Sequence, residues 1–262
     1  MELNKKKYKD FFEYAMCSLK TLRKLTSNEI SEFEEPYRML FYSYYGYLNK
    51  LKQYNYENFN IKFKNMFDVN YMAIINKRIK ILKYLDHINV NKYTYDYIDI
   101  IYEGSIKLIK YFESTGININ IKDDTDGSNA FLLAINYENI RIIKYLVSKD
   151  FNIHYVNYNK ESAFLIASCC ERNDTKILKY LESIGLNIHI KDIYMNNAYL
   201  KAAYNGDIKY MKYLESRGIN INCKNIYGLS AYNIAFDDSK TKAYILKNKN
   251  YKLNQFSIIY FC

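Results

Sequence analysis

Apolar residues fall at helical spacing in short blocks, and the blocks alternate with polar stretches down the chain. The stretch from Asn197 to Gly228 gives the clearest reading. Asn197-Ala-Tyr-Leu-Lys-Ala-Ala-Tyr204 is a short apolar segment with small residues at Ala198, Ala202 and Ala203, ended by Asn205-Gly206. An asparagine before alanine suits a helix start, because its side-chain oxygen can take an orphan amide of the first turn. Gly206 can adopt a positive φ and allows a sharp turn. Next, Ile208, Met211 and Leu214 recur at three-residue steps, Tyr210 widens the stripe, and Lys209, Lys212 and Glu215 fall off it. Gly218 ends this second segment, and Ile219 to Gly228 reads as a polar, extended connection. The pattern predicts two short antiparallel helices followed by a protruding turn.

The same phrase returns elsewhere. It runs Ile-Lys-Leu-Ile-Lys-Tyr-Phe-Glu-Ser-Thr-Gly-Ile-Asn-Ile-Asn from Ile106, and it recurs with small changes from Arg141, Lys176 and Lys209. Its Lys-Tyr tyrosines are Tyr84, Tyr111, Tyr145, Tyr180 and Tyr213, at steps of 27, 34, 35 and 33 residues. A period near 33 with small slips means one supersecondary unit stacked many times. A lone helix pair cannot bury its apolar faces, so the units must stack pair on pair. The helix start recurs in register as Asn129-Ala130, Ser162-Ala163, Asn197-Ala198 and Ser230-Ala231. Small alanines there let neighbouring first helices approach closely, while bulkier second-helix residues splay the outer layer and bend the stack.

These strings resemble the ankyrin-repeat family. Its Gly-x-Thr-Pro-Leu-His-x-Ala-Ala start is matched by Gly127-Ser-Asn-Ala-Phe-Leu-Leu-Ala134, by Met195-Asn-Asn-Ala-Tyr-Leu-Lys-Ala-Ala203 and by Gly228-Leu-Ser-Ala-Tyr-Asn-Ile-Ala235. Its Gly-Ala-Asp-Val-Asn is matched by Gly116-Ile-Asn-Ile-Asn120 and Gly218-Ile-Asn-Ile-Asn222. The Lys-Tyr-Leu and Asn-Ile style is similar to the ankyrin sets of amoeba-infecting giant DNA viruses. The resemblance implies an all-α solenoid of stacked helix-turn-helix units with protruding β-turns, six or seven units long. The chain departs from the pattern in lacking Thr-Pro-Leu-His in every unit, so the pre-set φ of proline at the first helical position is lost. Some turn glycines are also missing, as where Glu138 precedes Asn139.

The clearest repeats span about 92–225, within a solenoid over 31–262 that has degenerate units at either side. Tyr71 to Leu85 reads as a shortened unit, and Leu40 to Ile61 as a tyrosine-rich one. The last unit, from Ile226, is expected to have a shortened second helix near Thr241 to Leu246 and to end in Phe256 to Phe261. Residues 1–30 carry a helical stripe of Phe11, Phe12, Ala15, Met16 and Leu19, followed by Leu22 and Leu25. This is either a cap on the array or a docking segment of ubiquitin-ligase adaptor type. No F-box pattern is found there, and the chain has no tryptophan.

Composition narrows the possibilities. Hydrophobic residues make up 49% and Pro36 is the sole proline, as expected of a chain built to fold rather than of a disordered one. The net charge of +10 raises a polyanion-binding alternative. Only six of the 38 basic residues are arginine, however, whereas phosphate and base recognition favours the bidentate guanidinium. Codons rich in A and T account equally for the lysines and for the 31 tyrosines. Nucleic acid is therefore not the expected partner. No apolar run is long enough to span a bilayer, and Lys9, Asp10 and Glu13 interrupt any leader-like stretch. Five unpatterned cysteines suit a reducing, cytoplasmic setting.

No catalytic constellation can be assembled. His154 and His189 share one position in consecutive units, about 8–10 Å apart as packed helices are, which is too far for a common metal ion. Cys169-Cys170 lies where a unit gains two residues, and reads as a turn insertion rather than a redox pair. No cofactor is expected. The reading is therefore a monomeric, non-catalytic scaffold that binds a protein partner through a preformed surface. The resemblance places the contacts on turn tips and first helices: Thr125, Asp126 and Ser128; Tyr158, Asn159 and Glu161; Ile193, Tyr194, Asn196 and Tyr204; and Ile226, Tyr227 and Leu229. Tyr158, Tyr194 and Tyr227 are each taken to precede the turn glycine position and so to align as one column of interface anchors.

Overall fold

The computed structural model describes residues 35–54, 69–88, 97–116, 118, 122–170, 175–235 and 238–248. Among these residues the regular structure is fourteen helices and no strand, with two isolated antiparallel bridges, Lys122 with Asn129 and Val156 with Ser162. The chain divides into two compact units, Met1–Tyr95 and Asp96–Cys262. The N-terminal stripe from Phe11 to Leu25, the Asn58–Ile61 match and the Phe256–Phe261 ending lie outside the described residues.

The first unit holds α1 (Glu35–Tyr45), α2 (Leu48–Leu51), α3 (Val69–Ile75) and α4 (Ile79–His87). Helices α2 and α3 pack on α1, and α4 packs on α3. Met39, Leu40, Leu51, Met72, Ile81 and Leu85 fill its core. Two side chains tie the first helix pair to the second: Ser43 Oγ donates to the Val69 carbonyl at 2.6 Å, and Arg78 Nε donates to the Tyr44 carbonyl at 3.0 Å.

The second unit holds α5 (Tyr97–Tyr102), α6 (Ile106–Ser114), α7 (Ala130–Asn136), α8 (Ile140–Val147), α9 (Ala163–Ala167), α10 (Lys176–Ser183), α11 (Ala198–Tyr204), α12 (Ile208–Ser216), α13 (Ala231–Ile234) and α14 (Ser239–Lys247). The odd-numbered helices are the first members of each pair and pack in succession, α5 on α7, α7 on α9, α9 on α11 and α11 on α13. Each even-numbered helix packs on its own first helix. Counting the first unit, the described residues contain seven helix pairs.

Local sequence explains where these helices begin. The predicted caps form: Asn129, Ser162 and Asn197 accept from the amides of Leu132, Leu165 and Leu200, three residues on in each case. Ser105, Asn139 and Asp207 do the same for α6, α8 and α12. Each such cap stabilises by about 1 kcal/mol. Ala130, Ala134, Ala163, Ala167, Ala198, Ala202 and Ala203 are all buried, so the first-helix layer stacks through small side chains. The expectation for the last unit is corrected: α14 has nine residues, as many as α6 and α12, and it is the first helix, α13, that is short at four.

The recurring phrase has a physical cause in the second-helix layer. Tyr145 Oη donates to Glu113 Oε2 at 2.6 Å, Tyr244 Oη donates to Glu215 Oε2 at 2.8 Å, and Tyr213 donates to Glu182 in the same way. Each rung joins the tyrosine of one second helix to the glutamate of the second helix before it. A lysine ammonium of the earlier helix lies over the tyrosine ring in several steps: Lys110 over Tyr145 at 5.7 Å, Lys144 over Tyr180 at 5.4 Å and Lys212 over Tyr244 at 5.6 Å. In the first unit Lys52 covers Tyr84 in the same manner, at 5.6 Å. The serine ending the phrase donates back to the tyrosine carbonyl, as Ser114, Ser148, Ser183 and Ser216 all do. Tyr145, Tyr213 and Tyr244 are thus cross-braces between successive repeats, more than packing residues with a wetted hydroxyl. Burial first, then the bond to Glu113, push the Tyr145 hydroxyl up to about 12.

Asparagine in the Asn-Ile-Asn/His part also has a cause. Asn152, Asn187 and Asn220 accept through Oδ1 from the amides of His154, His189 and Asn222, two residues later. This is an Asx turn, which reverses the chain after each second helix.

Candidate functional site

The turns that link one helix pair to the next form a row along the second unit. In three of them one Asx side chain organises the loop through two backbone amides. Asn157 Oδ1 accepts from Asn159 and Glu161, Asp192 Oδ1 from Tyr194 and Asn196, and Asn225 Oδ1 from Tyr227 and Leu229, all between 2.9 and 3.1 Å. The first turn is one residue longer and divides the work: Asp123 Oδ1 accepts from Thr125 and Asp126 Oδ1 from Ser128, both at 2.7 Å.

The residue before each helix cap region sits at positive φ. It is Gly127 at 74°, Lys160 at 55°, Met195 at 63° and Gly228 at 73°. Two turns therefore hold a non-glycine residue in a conformation that costs an L-residue about 1 kcal/mol or more. The same holds for Glu138 at φ 54°, the position where the sequence lacks a turn glycine.

Neighbouring tips are joined by main-chain hydrogen bonds of one kind. Tyr158 N donates to the Asp126 carbonyl, Ile193 N to that of Asn159, and Ile226 N to that of Tyr194, each at 2.9 Å. The turn row is a backbone ladder, along which Thr125, Ile193, Tyr194, Ile226 and Tyr227 stand exposed. Tyr155 Oη adds a bond to the Gly127 carbonyl at 2.7 Å, and the Cys223 thiol at the equivalent place donates to the Met195 carbonyl.

The structure sorts the predicted contact residues. Thr125, Tyr158, Ile193, Tyr194, Tyr204, Ile226, Tyr227 and Leu229 are exposed. Asp126, Asn159, Glu161 and Asn196 are half-buried and engaged within the turns. Ser128 is buried, its hydroxyl donating to Asp126 Oδ2 at 2.8 Å, so it is a turn-building residue rather than a surface one.

The tyrosine column is corrected too. Tyr194 and Tyr227 occupy equivalent places and stack, with centroids 6.3 Å apart and planes at 25°. Tyr158 stands one position earlier, two residues before the positive-φ Lys160, and its ring lies over Gly127, where an added Cβ would fall 2.6 Å from a ring carbon. Met195, exposed between the predicted Tyr194 and Asn196, was missed because it occupies the place where glycine is expected.

The ends of the first helices flank the row. Tyr102 and Tyr137 meet edge-to-face at 5.0 Å, and Tyr204 is the most exposed large apolar side chain among the described residues. Between tips and helices, Lys201 Nζ lies 2.5 Å from Glu161 Oε1 and 3.2 Å from Asp192 Oδ2. Burial pulls the Lys201 pKa down, but the Glu161 hydrogen bond and charge, with Cys169 and Asp192, more than offset it, so the ammonium is held charged. Cys170 is buried and its thiol donates to the Ile135 carbonyl, while Asn205 Nδ2 donates to the Cys169 carbonyl. Burial pushes the Cys169 thiol up to about 11 and the Cys170 thiol to about 12. Neither supplies thiolate near neutral pH, so their place is structural. Among the described residues no three His, Cys, Asp or Glu side chains gather as a metal site, and no helix is long and apolar enough to cross a membrane.

Stacked helix pairs with a ladder of protruding turns define a repeat scaffold whose variable surface is its turn row. Residues 98–192 match the family model for ankyrin repeats (3 copies), a stretch that covers α6 to α10 and all but the first residue of α5. The pairs outside that stretch have the same two-helix form. Ankyrin repeats are generally protein–protein interaction modules. No curated protein matches the chain.

Proposed function

We propose that this protein is a non-catalytic scaffold that recognises a protein partner along the turn tips and first-helix ends of its second unit. The observation that carries this reading is the distribution of exposed apolar side chains. Of the ten large ones exposed among the described residues, seven (Tyr158, Ile193, Tyr194, Met195, Ile226, Tyr227 and Leu229) belong to the tips and two (Tyr102 and Tyr204) to first-helix ends, with Leu246 alone on a second helix, α14. Exposed aromatic and aliphatic residues held on a rigid frame lose little conformational entropy on binding and serve well as interface anchors. The free thiols of Cys169, Cys170 and Cys223 accord with action in a reducing compartment such as the cytoplasm. Replacing Tyr158, Tyr194 and Tyr227 together by alanine is expected to abolish co-purification of the partner from the native cell with an unchanged helical circular dichroism spectrum. Undiminished co-purification counts against the reading.

A second reading rests on a different face. Successive second helices present paired exposed cations, Lys107 and Lys110, Arg141 and Lys144, Lys176 and Lys179, and Lys209 and Lys212. Such a stripe suits a polyanion. Titration with a DNA duplex in rising salt separates the two, because phosphate neutralisation gives a steep log–log slope whereas apolar anchoring is nearly salt-independent. A ligase-adaptor role for residues 1–30 is tested by deleting them and asking whether ligase components still co-purify.

A further inference from the structure

The tip row differs from end to end, and the difference specifies a ligand. Its first tip carries Asp123, Asp124 and Asp126 beside a single Lys122, in a chain whose net charge is +10. Lys122 is drawn aside, its ammonium 5.0 Å from the Tyr155 ring centroid. The last two tips carry no exposed acid. They present Ile193, Tyr194 and Met195, then Ile226, Tyr227 and Leu229, with Tyr227 at 68% and Ile226 at 55% exposure. Lys191 and Lys224 adjoin that apolar patch in sequence, and the carboxylates nearby, the buried Asp192 and the half-buried Glu161, both pair with Lys201.

We infer that the row binds an extended peptide segment of the partner with a basic cluster at one end and two or more bulky apolar side chains at the other, about six residues apart. This deepens the reading of the tip row as the recognition surface and rests on it. The spacing follows from the architecture. Adjacent packed helices lie about 8–10 Å apart, so the acidic tip and the Tyr194 tip, two steps along, are separated by roughly 20 Å. An extended chain advances about 3.3 Å per residue, so about six residues span the distance. The backbone ladder that joins the tips holds this spacing fixed. Charge sets the direction: Lys191 and Lys224 repel a basic residue at the apolar end, and the aspartates attract one at the other.

Selection of random 16-residue displayed peptides on the full chain tests the proposal. Enriched peptides are expected to pair Lys or Arg residues with an apolar cluster about six positions away. Synthetic copies should bind Tyr194→Ala/Tyr227→Ala at least tenfold more weakly, and Asp124→Lys about three- to tenfold more weakly, with circular dichroism unchanged in both. Enriched peptides without the basic cluster, or indifferent to Asp124→Lys while still losing affinity for the tyrosine variant, overturn the inference and leave the tip row as recognition surface. Peptides that bind the tyrosine variant as well as the parent overturn both. An absence of enriched peptides overturns the inference, because a single extended segment should then suffice and does not, while the partner co-purification experiment still decides the broader reading.

Discussion

The second-helix layer and the turn row are both ladders between repeats, but they are built from different atoms. The helices are braced side chain to side chain, by Tyr145 to Glu113, Tyr213 to Glu182 and Tyr244 to Glu215. The turns are braced main chain to main chain, by the amides of Tyr158, Ile193 and Ile226 to the carbonyls of the tips before them. A side-chain rung constrains which residues stand at its two ends, so Lys-Tyr-x-Glu-Ser recurs. A backbone rung constrains none, so aspartate, asparagine, isoleucine and tyrosine alternate freely at the tips. The repeated phrase maintains the frame and the unrepeated residues carry the recognition surface.

The comparison can be broken most severely in the frame. Leu181→Ala, at a fully buried position of α10, should cost about 2–5 kcal/mol through lost transfer energy and the cavity left behind, read by urea denaturation. The same denaturation on Tyr158→Ala, in the tips, should move stability by no more than about 0.5 kcal/mol. Asn197→Ala comes next. It removes the cap to Leu200 and the Nδ2 bond to the Asn220 carbonyl at 2.8 Å, and should cost about 1–2 kcal/mol.

The rungs themselves sharpen the contrast. Tyr145→Phe should cost about 1 kcal/mol near neutral pH. The hydroxyl is protonated more readily in the folded chain than in the unfolded one, since its pKa is raised from 10.0 to about 12. Its contribution is therefore complete below pH 10 and disappears as pH rises towards 12. Stability measured against pH should show the parent and Tyr145→Phe converging over that interval. Among the described residues the step from α8 to α10 shows no such rung: Val147 stands where other second helices carry Glu113, Glu182 and Glu215, and burial alone raises the Tyr180 pKa. Val147→Glu should add a few tenths of a kcal/mol if the brace is a portable pairwise feature. An effect of comparable size belongs to the turns. Lys160→Gly relieves a left-handed residue and should raise stability by about 0.5 kcal/mol.

Much of this protein was legible from its residues. The helix starts at Asn129, Ser162, Asn197 and Ser230 were readable because a cap acts within three residues and needs no distant partner. The apolar stripes of the second helices were readable for the same reason, and so was the exposure of Tyr194, Tyr204, Ile226 and Tyr227. The misreading of the tyrosine column has a definite cause. Tyr158 was placed in register with Tyr194 and Tyr227 by counting from a glycine that its turn does not have. Lys160 takes the left-handed conformation there, and nothing in a lysine announces it.

The sequence by itself determined the repeat, its period, the two-helix unit and the ends of most helices, because these depend on contacts a few residues apart. Tertiary structure alone decided which side chains brace one unit against the next and which remain outward. A Tyr–Glu rung spans about one full period, as with the 32 residues between Glu113 and Tyr145, and exists only once stacking has brought the two helices side by side. The burial of Ser128, the pairing of Glu161 and Asp192 with Lys201, and the stacking of Tyr194 on Tyr227 are decided in the same way, by neighbours supplied from another repeat or by the closed geometry of a turn.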